Sequence, residues 1–313
     1  MDLVKIMIEK FWDKLGENIA NEWSLRMFSI AFIFCGAGIM TYGMKNGWDK
    51  LSIALNDLGA NPVLGGIIIV LLIIAVAAAN TLIGWSSSKT LRLIEGYWTG
   101  RIRDWAATKE IDRRRQLKNE LNILLRKKEQ QQLDVTDERK FASLEYTLQY
   151  FFPVDEALIL PTSIGNILRS AEEYPLRVYG LEVSITFPHL WLVMPDHSRS
   201  HLTSARQNLD MSVQIFLWCL LLLVWAYFQW WISLVAVICA FIVWSRIKEA
   251  AFTYAQLFRA MYDLYRFDLY RSLHWKLPKK SDVKDEVKHG KLLTMFIYRH
   301  QVNQAFVHSV SKE

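Results

Sequence analysis

The sequence predicts an all-α membrane protein, with four transmembrane helices in two hairpins and a mainly helical cytoplasmic domain that contains at most a short β element. Three observations predict it. From Met211 to Ser245 run 35 uncharged residues, too many for one crossing of a roughly 30 Å hydrocarbon layer by a helix rising about 1.5 Å per residue. Two further apolar runs lie at 27–44 and 63–85. Lys and Arg together number 4 before the first run, 2 between the first two, 18 in 86–210, none at 227–231 and 13 from Arg246 onward. With four crossings every basic-rich segment falls on one side, as the positive-inside rule requires, whereas three crossings strand the basic tail outside. Both termini and segment 86–210 are therefore expected in the cytoplasm.

Composition sets the outer bounds. A chain of 313 residues with 52% hydrophobic content and 13 Trp has room for a few spans and one soluble domain of about 120 residues. The net charge of +6 suits anionic headgroups, and no nucleic-acid partner is expected. Cys35, Cys219 and Cys239 all sit in apolar runs, where thiols behave as small hydrophobes, so neither a disulfide framework nor zinc spacing is present.

In chain order, residues 1–23 place Leu3, Met7, Ile8, Phe11, Leu15 and Ile19 on one stripe, an amphipathic helix for the interface or for the soluble domain. Its five acids against three lysines lack the basic face of a strong lipid binder. No basic segment leads directly into an apolar one at the start, so a cleaved signal peptide is not expected. The first span, 27–44, carries Gly36, Gly38 and Gly43, small residues that admit a second helix, either within the chain or at an oligomer seam. Pro62 introduces the second span, 63–85, whose notable polar groups are Asn80 and Thr81. These suit an interhelical contact or the lining of a pore.

Segment 86–210 is the expected cytoplasmic domain. It opens with Leu91, Ile94, Tyr97, Trp98, Ile102 and Trp105 interleaved with Arg92, Arg101 and Arg103, as in a helix running along or out of the interface. A charged helical hairpin is expected over about 109–152, its second helix starting at Asp134 and closed by Pro153. Arg113-Arg114-Arg115 and Arg126-Lys127-Lys128, diluted by Glu110, Asp112, Glu120 and Glu129, read as a solvated face. Within 160–195, Pro161 and Thr162 start a short helix with Arg169 in reach of Glu172 and Glu173, and Pro175 ends it. Leu181 to Phe187 alternates as a strand does, either pairing between subunits or lying extended at the membrane surface.

The same segment carries a resemblance. Pro161-Thr162, Gly165-Asn166, Leu168-Arg169, Ala171-Glu172, Tyr174-Pro175, Tyr179-Gly180, Pro188, Leu190-Trp191 and the run to Pro195 resemble a pattern in an uncharacterised group of bacterial polytopic membrane proteins. The match is tight over about 35 residues and looser from Tyr262 to Arg271. It implies kinship and carries no activity across. The group often has Arg or Lys in place of His189, and Asp or Asn near Glu182, so neither position is a candidate. The candidate motif site is Pro161, Thr162, Gly165, Asn166, Arg169, Glu172, Tyr174, Tyr179 and Trp191.

Third and fourth spans are expected at 211–227 and 230–246, turning at Tyr227–Trp231 without Gly, Pro, Asn or Asp. A re-entrant hairpin, or one long tilted helix, is the other arrangement the run allows. A juxtamembrane helix follows at 247–278, with Arg259, Asp263, Arg266 and Asp268 spaced for ion pairs and Pro278 as its stop. Residues 279–313 comprise a charged linker and a last short helix from Leu292.

Chemistry is sparse. His197 and His201 lack further metal ligands nearby, and no nucleotide loop, dinucleotide fingerprint or nucleophile elbow is present in the sequence. Apart from Arg246 at the very end of the fourth, the spans hold no Asp, Glu, Lys, Arg or His, which disfavours an ion-coupled carrier. The expected protein is a non-enzymatic, multi-pass component of the bacterial inner membrane, without cofactor or metal. It acts as an oligomeric scaffold or interaction protein among lipid, copies of itself and a cytoplasmic partner. A homo-oligomeric channel or membrane-permeabilising effector is the alternative.

Overall fold

The computed structural model describes residues 22–278 and 283–299, and every α or 3₁₀ element within them is a helix. In order these are α1 (Glu22–Asn46), α2 (Trp48–Ala60), α3 (Pro62–Glu95), α4 (Arg101–Glu129), α5 (Val135–Phe151), α6 (Ser163–Tyr179), α7 (Val183–Val193), α8 (Asp196–Leu221), α9 (Trp231–Ser272) and α10 (Val283–Arg299). Short 3₁₀ turns occupy Glu156–Leu158 and Leu222–Tyr227. The amphipathic helix expected at 1–23 lies outside the described residues except for its last two, which begin α1; so do 279–282 and everything from 300 on.

The chain divides into two compact units. One comprises the residues up to Lys89 together with Met211–Ser245; the other comprises Thr90–Asp210 and the chain from Arg246. Among the described residues three helices are long and apolar enough to cross a membrane: Val63–Glu95, Asp196–Tyr227 and Trp231–Ser272. Their uncharged stretches belong to the first unit; α1 carries the apolar run 27–44.

In the first unit, Ala31, Val76, Ile83 and Trp218 form a buried cluster, drawing α1, α3 and α8 together. Gly38 makes this possible, since a Cβ there would lie 2.5 Å from the Trp225 indole. The Phe34 ring sits 5.3 Å from that of Trp218 and 5.2 Å from that of Trp225. The chain reverses after Tyr227, and Phe216 and Trp244 meet across the reversal at 5.9 Å. Tightening of the last turn to 3₁₀ replaces the missing turn residues: the Phe228 amide donates to the Trp225 carbonyl at 3.0 Å. The Tyr227 carbonyl, free at the helix end, accepts from Lys45 Nζ at 3.1 Å. The same ammonium lies 4.3 Å from the Tyr227 ring centre, a cation–π contact.

In the second unit α6 is the hub. Ile167, Ala171 and Tyr179 from α6, Leu181, Leu190 from α7, Leu202 from α8, Phe258, Tyr262 and Tyr270 from α9, and Leu293 from α10 share one core. α10 crosses the end of α6 with almost no spacing. A Cβ on Gly290 would fall 1.8 Å from the Tyr179 carbonyl oxygen, and one on Gly180 2.1 Å from that of Val287. Gly180 also closes α6 in the left-handed conformation at φ 73°, its amide donating to Leu176 O while the Leu181 amide returns to Pro175 O at 3.1 Å.

Four sequence expectations are corrected here. Leu181–Phe187 is no strand: Val183–Val193 is helical. The alternation is short, and the longer repeat of Thr186, Leu190 and Met194, all buried at four-residue steps, wins because it places one face on the core. Pro175 does not end α6, which continues to Tyr179. A proline one turn from a helix end removes a single amide, and the Gly180 closure satisfies the carbonyls that follow. α9 stops at Ser272, ahead of Pro278, where His274 adopts φ 50° and the Trp275 amide turns back to Tyr270 O at 2.9 Å. All of the described part of the expected 279–291 linker is helix, because α10 begins at Val283 with Asp285 and Glu286 in its first turn. Helix α2, in the connection between the first two apolar runs, was not foreseen at all.

Gly290→Ala is expected to lower the stability of the second unit by about 2 kcal/mol or more, since neither backbone can yield. An apparent Tm measured in detergent on the variant and on the parent chain checks it.

Candidate functional site

The motif residues form an architectural junction. Thr162 caps α6, its hydroxyl accepting from the Gly165 amide at 3.0 Å and donating to the Glu95 carbonyl at 3.0 Å. Gly165 lies flat on that carbonyl, where a Cβ would stand 2.0 Å from the oxygen. Pro161 fills the space beside Gly96, held at φ 95°. Asn166 is fully buried and accepts from the Leu160 amide at 2.7 Å, while its Nδ2 has no partner among the described residues. Tyr174 and Tyr179 converge on one oxygen of Asp263, at 2.9 and 2.6 Å. Burial first, and the Asp263 carboxylate second, push the Tyr179 phenol well above its ordinary range. Trp191 packs on the same core as Tyr174 and Tyr179, its ring 5.9 Å from that of Phe187. Arg169 and Glu172 pair at 2.9 Å on the surface, a contact of about 0–1 kcal/mol.

The connection entering α6 is pinned from both sides. Glu173 accepts from the Val154 and Asp155 amides at 2.6 and 3.2 Å rather than pairing with Arg169. Arg114, expected on a solvated face, is buried; it donates to Glu156 at 3.2 Å and to the Val154 carbonyl at 2.6 Å. Arg115 adds a 2.8 Å bond to the other oxygen of Glu156. The arginine run is thus a clamp in part, and a single helical wheel cannot show it because the partner lies 40 residues on.

The charges of α9 are also rearranged. Arg259 makes no ion pair with Asp263; it is 5% exposed, donates to Ser170 Oγ at 2.8 Å and Gln149 O at 3.2 Å, and lies 4.7 Å from the Tyr150 ring centre. Its Nε and Nη1 have no partner among the described residues. Burial lowers its pKa from the ordinary arginine value. Arg266 pairs with Glu286 of α10 at 2.7 Å, and Asp268 pairs with Arg271 at 3.2 Å.

One charged cluster was missed by sequence reasoning. Around Glu95, at the end of α3 and ten residues beyond the apolar run that closes at Trp85, gather Arg92, Glu172, Arg206 and Asp210. Arg206 bonds Asp210 at 3.3 Å and lies 5.7 Å from the Tyr254 ring centre. Burial foremost, then Glu172, raise the Glu95 carboxyl to about 7, with Asp210 adding to the effect and Arg206 and Arg92 opposing it. Burial likewise raises the Tyr97 phenol, with Glu172 second. No local motif marks this cluster; only folding brings Glu95, Glu172 and Asp210 together.

The remaining candidates lie in the first unit. Gly38 is filled by Trp225, and Gly43 abuts Trp48, whose ring would stand 3.0 Å from a Cβ; Gly36 faces open space. The Asn80 amide is enclosed without a partner among the described residues. The Thr81 hydroxyl returns to the Ala77 carbonyl at 2.9 Å. Among the described residues no three His, Cys, Asp or Glu side chains converge as a metal site. No known protein family, curated protein or solved structure matches the chain.

Chemically, the Glu95 cluster is a carboxyl that exchanges its proton near neutrality among fixed charges. Its folded pKa of about 7 exceeds the ordinary 4.5. The stability contributed by the protonated form is therefore complete below the lower value and is lost as pH rises through the higher one. Between about pH 6 and 8 the parent chain is expected to lose on the order of 1 kcal/mol through this group, after allowing for solvent screening. Glu95→Gln should remove that component, seen as a flatter plot of apparent Tm against pH.

Proposed function

We propose that the chain is a multi-pass protein of the bacterial inner membrane, crossing four times in two hairpins with both termini and segment 86–210 in the cytoplasm, and that it acts as a non-catalytic, oligomeric scaffold or interaction protein. The observation that carries this reading is how the motif residues are used. Thr162, Gly165, Asn166, Tyr174 and Tyr179 are spent on helix junctions, which makes the second unit a braced platform. The apolar helices supply the second support. Only 6% of the most apolar window of Val63–Glu95 is buried within the chain, 28% of that of Asp196–Tyr227 and 17% of that of Trp231–Ser272. Such faces suit lipid and further copies of the chain. The distribution of 37 basic residues supports the orientation.

A homo-oligomeric channel or membrane-permeabilising effector is the second reading, favoured by the open face at Gly36 and the exposed Thr81. It loses Gly38 and Asn80 as lining groups, since the first is covered by Trp225 and the second enclosed.

Purified full-length chain in planar bilayers, examined together with native mass spectrometry, is expected to be oligomeric and electrically silent. A conducting ring would replace the scaffold with the channel, and a silent monomer would discard both. Orientation has its own test: Gln229→Cys should react with a membrane-impermeant maleimide from the periplasmic side, and reaction only after lysis would overturn the four-crossing topology.

A further inference from the structure

We propose that the surface made by the end of α3, the turn after it and the first turns of α4 is a docking face for anionic phospholipid headgroups. This rests on the membrane reading above and not on its oligomeric part. The surface is built rather than loose. The Gly96 amide bonds Leu93 O and the Tyr97 amide bonds Arg92 O, each at 3.1 Å, and the Trp98 indole donates to the Leu93 carbonyl. Gly96 and Gly100, both at φ 95°, allow the reversal into α4.

On this frame the chain exposes large apolar groups that a water-facing surface has no use for. Ile102 is 73% exposed and Trp105 68%, with Leu93 and Tyr97 at half or more. Between them stand the exposed side chains of Arg92, Arg101 and Arg103; the acidic side chains of the neighbourhood are Asp104 on the same turn, Glu172 in the field of Tyr97, and Glu110 and Asp112 one to two turns past Trp105. Lys109 lies 5.8 Å from the Trp105 ring centre. Aromatic rings alternating with cations are the chemistry of the headgroup layer, where the ring inserts and the cation meets phosphate.

The chain itself argues for lipid over a protein occupant. Leu93 follows the apolar run that ends at Trp85 by only eight residues, so the tether keeps this face close to an interface whichever partner is present. Hydrophobic protein interfaces are depleted in such charges at their centre, whereas here they interrupt the apolar groups throughout.

The test uses the full chain with Ile102 replaced by photoreactive p-benzoylphenylalanine. The protein is reconstituted in phosphatidylcholine vesicles containing phosphatidylglycerol as the minor lipid, irradiated, and its adducts are weighed by mass spectrometry. Lipid adducts are expected, with phosphatidylglycerol enriched roughly fivefold over its share of the vesicle. In an Arg101→Gln/Arg103→Gln background that enrichment should vanish while vesicle flotation is retained. Adducts to a second copy of the chain, adducts within the chain alone, or lipid adducts merely in proportion to composition would each overturn the docking face. Failure of the parent chain to float with vesicles would instead overturn the membrane reading on which it rests.

Discussion

The backbone carbonyl of Glu95 is where the second unit is assembled. Its oxygen accepts from the Thr162 hydroxyl at 3.0 Å and has Gly165 pressed against it, so the end of α3 and the start of α6 meet backbone to backbone. At the other end of α6 the same device recurs, with Gly180 and Gly290 allowing α10 to lie on the Tyr179 carbonyl. A helix held this closely at both ends cannot shift by a side chain's width without a clash. The placement of Tyr174, Tyr179 and Ser170 against α9 follows from that. Close approach of this kind tolerates no Cβ, which explains glycine at 165 and 290 more directly than any ligand does.

Charge burial is the second constraint, and it divides the ionic groups into two kinds. Pairs such as Arg169–Glu172 and Arg271–Asp268 lie within one helix at the surface, where water screens them. Arg114 and Arg259 lie inside and Glu95 is half-buried, where each charge needs a defined partner. Arg114 has Glu156 and the Val154 carbonyl. Arg259 has aromatic faces and neutral oxygens, and burial draws its pKa down. Glu95 responds by holding its proton to about pH 7.

In the first unit, packing is made from aromatic rings and small residues. Trp218 and Trp225 occupy the space that Ala31 and Gly38 leave on α1. The reversal after Tyr227 needs no glycine because a 3₁₀ turn shortens the helix end and Lys45, from the end of α1, takes the carbonyl left over. In the sequence that lysine is one of two basic residues in a basic-poor connection. Its role at the reversal depends on a contact across 182 residues.

The sequence by itself determined what is local and periodic. The apolar runs, the Asp134 and Thr162 caps, the hairpin of α4 and α5 and the uninterrupted passage from Asp196 toward the third run are all legible, because each depends on neighbours within a turn or two. Local signals also misled where a longer-range force outweighed them. The alternation at Leu181–Phe187 yielded to a helical face on the core, and Pro175 and Pro278 lost the stop positions to Gly180 and His274. Motif membership singled out Thr162, Gly165 and Tyr179, but their purpose is visible only against Glu95, Asp263 and α10. Tertiary structure alone decided that Arg259 is buried, that Glu173 serves backbone amides and that Glu95 lies in the field of Glu172 and Asp210. The physical reason is that desolvation depends on which distant surfaces close over a group, and no spacing along one helix encodes that.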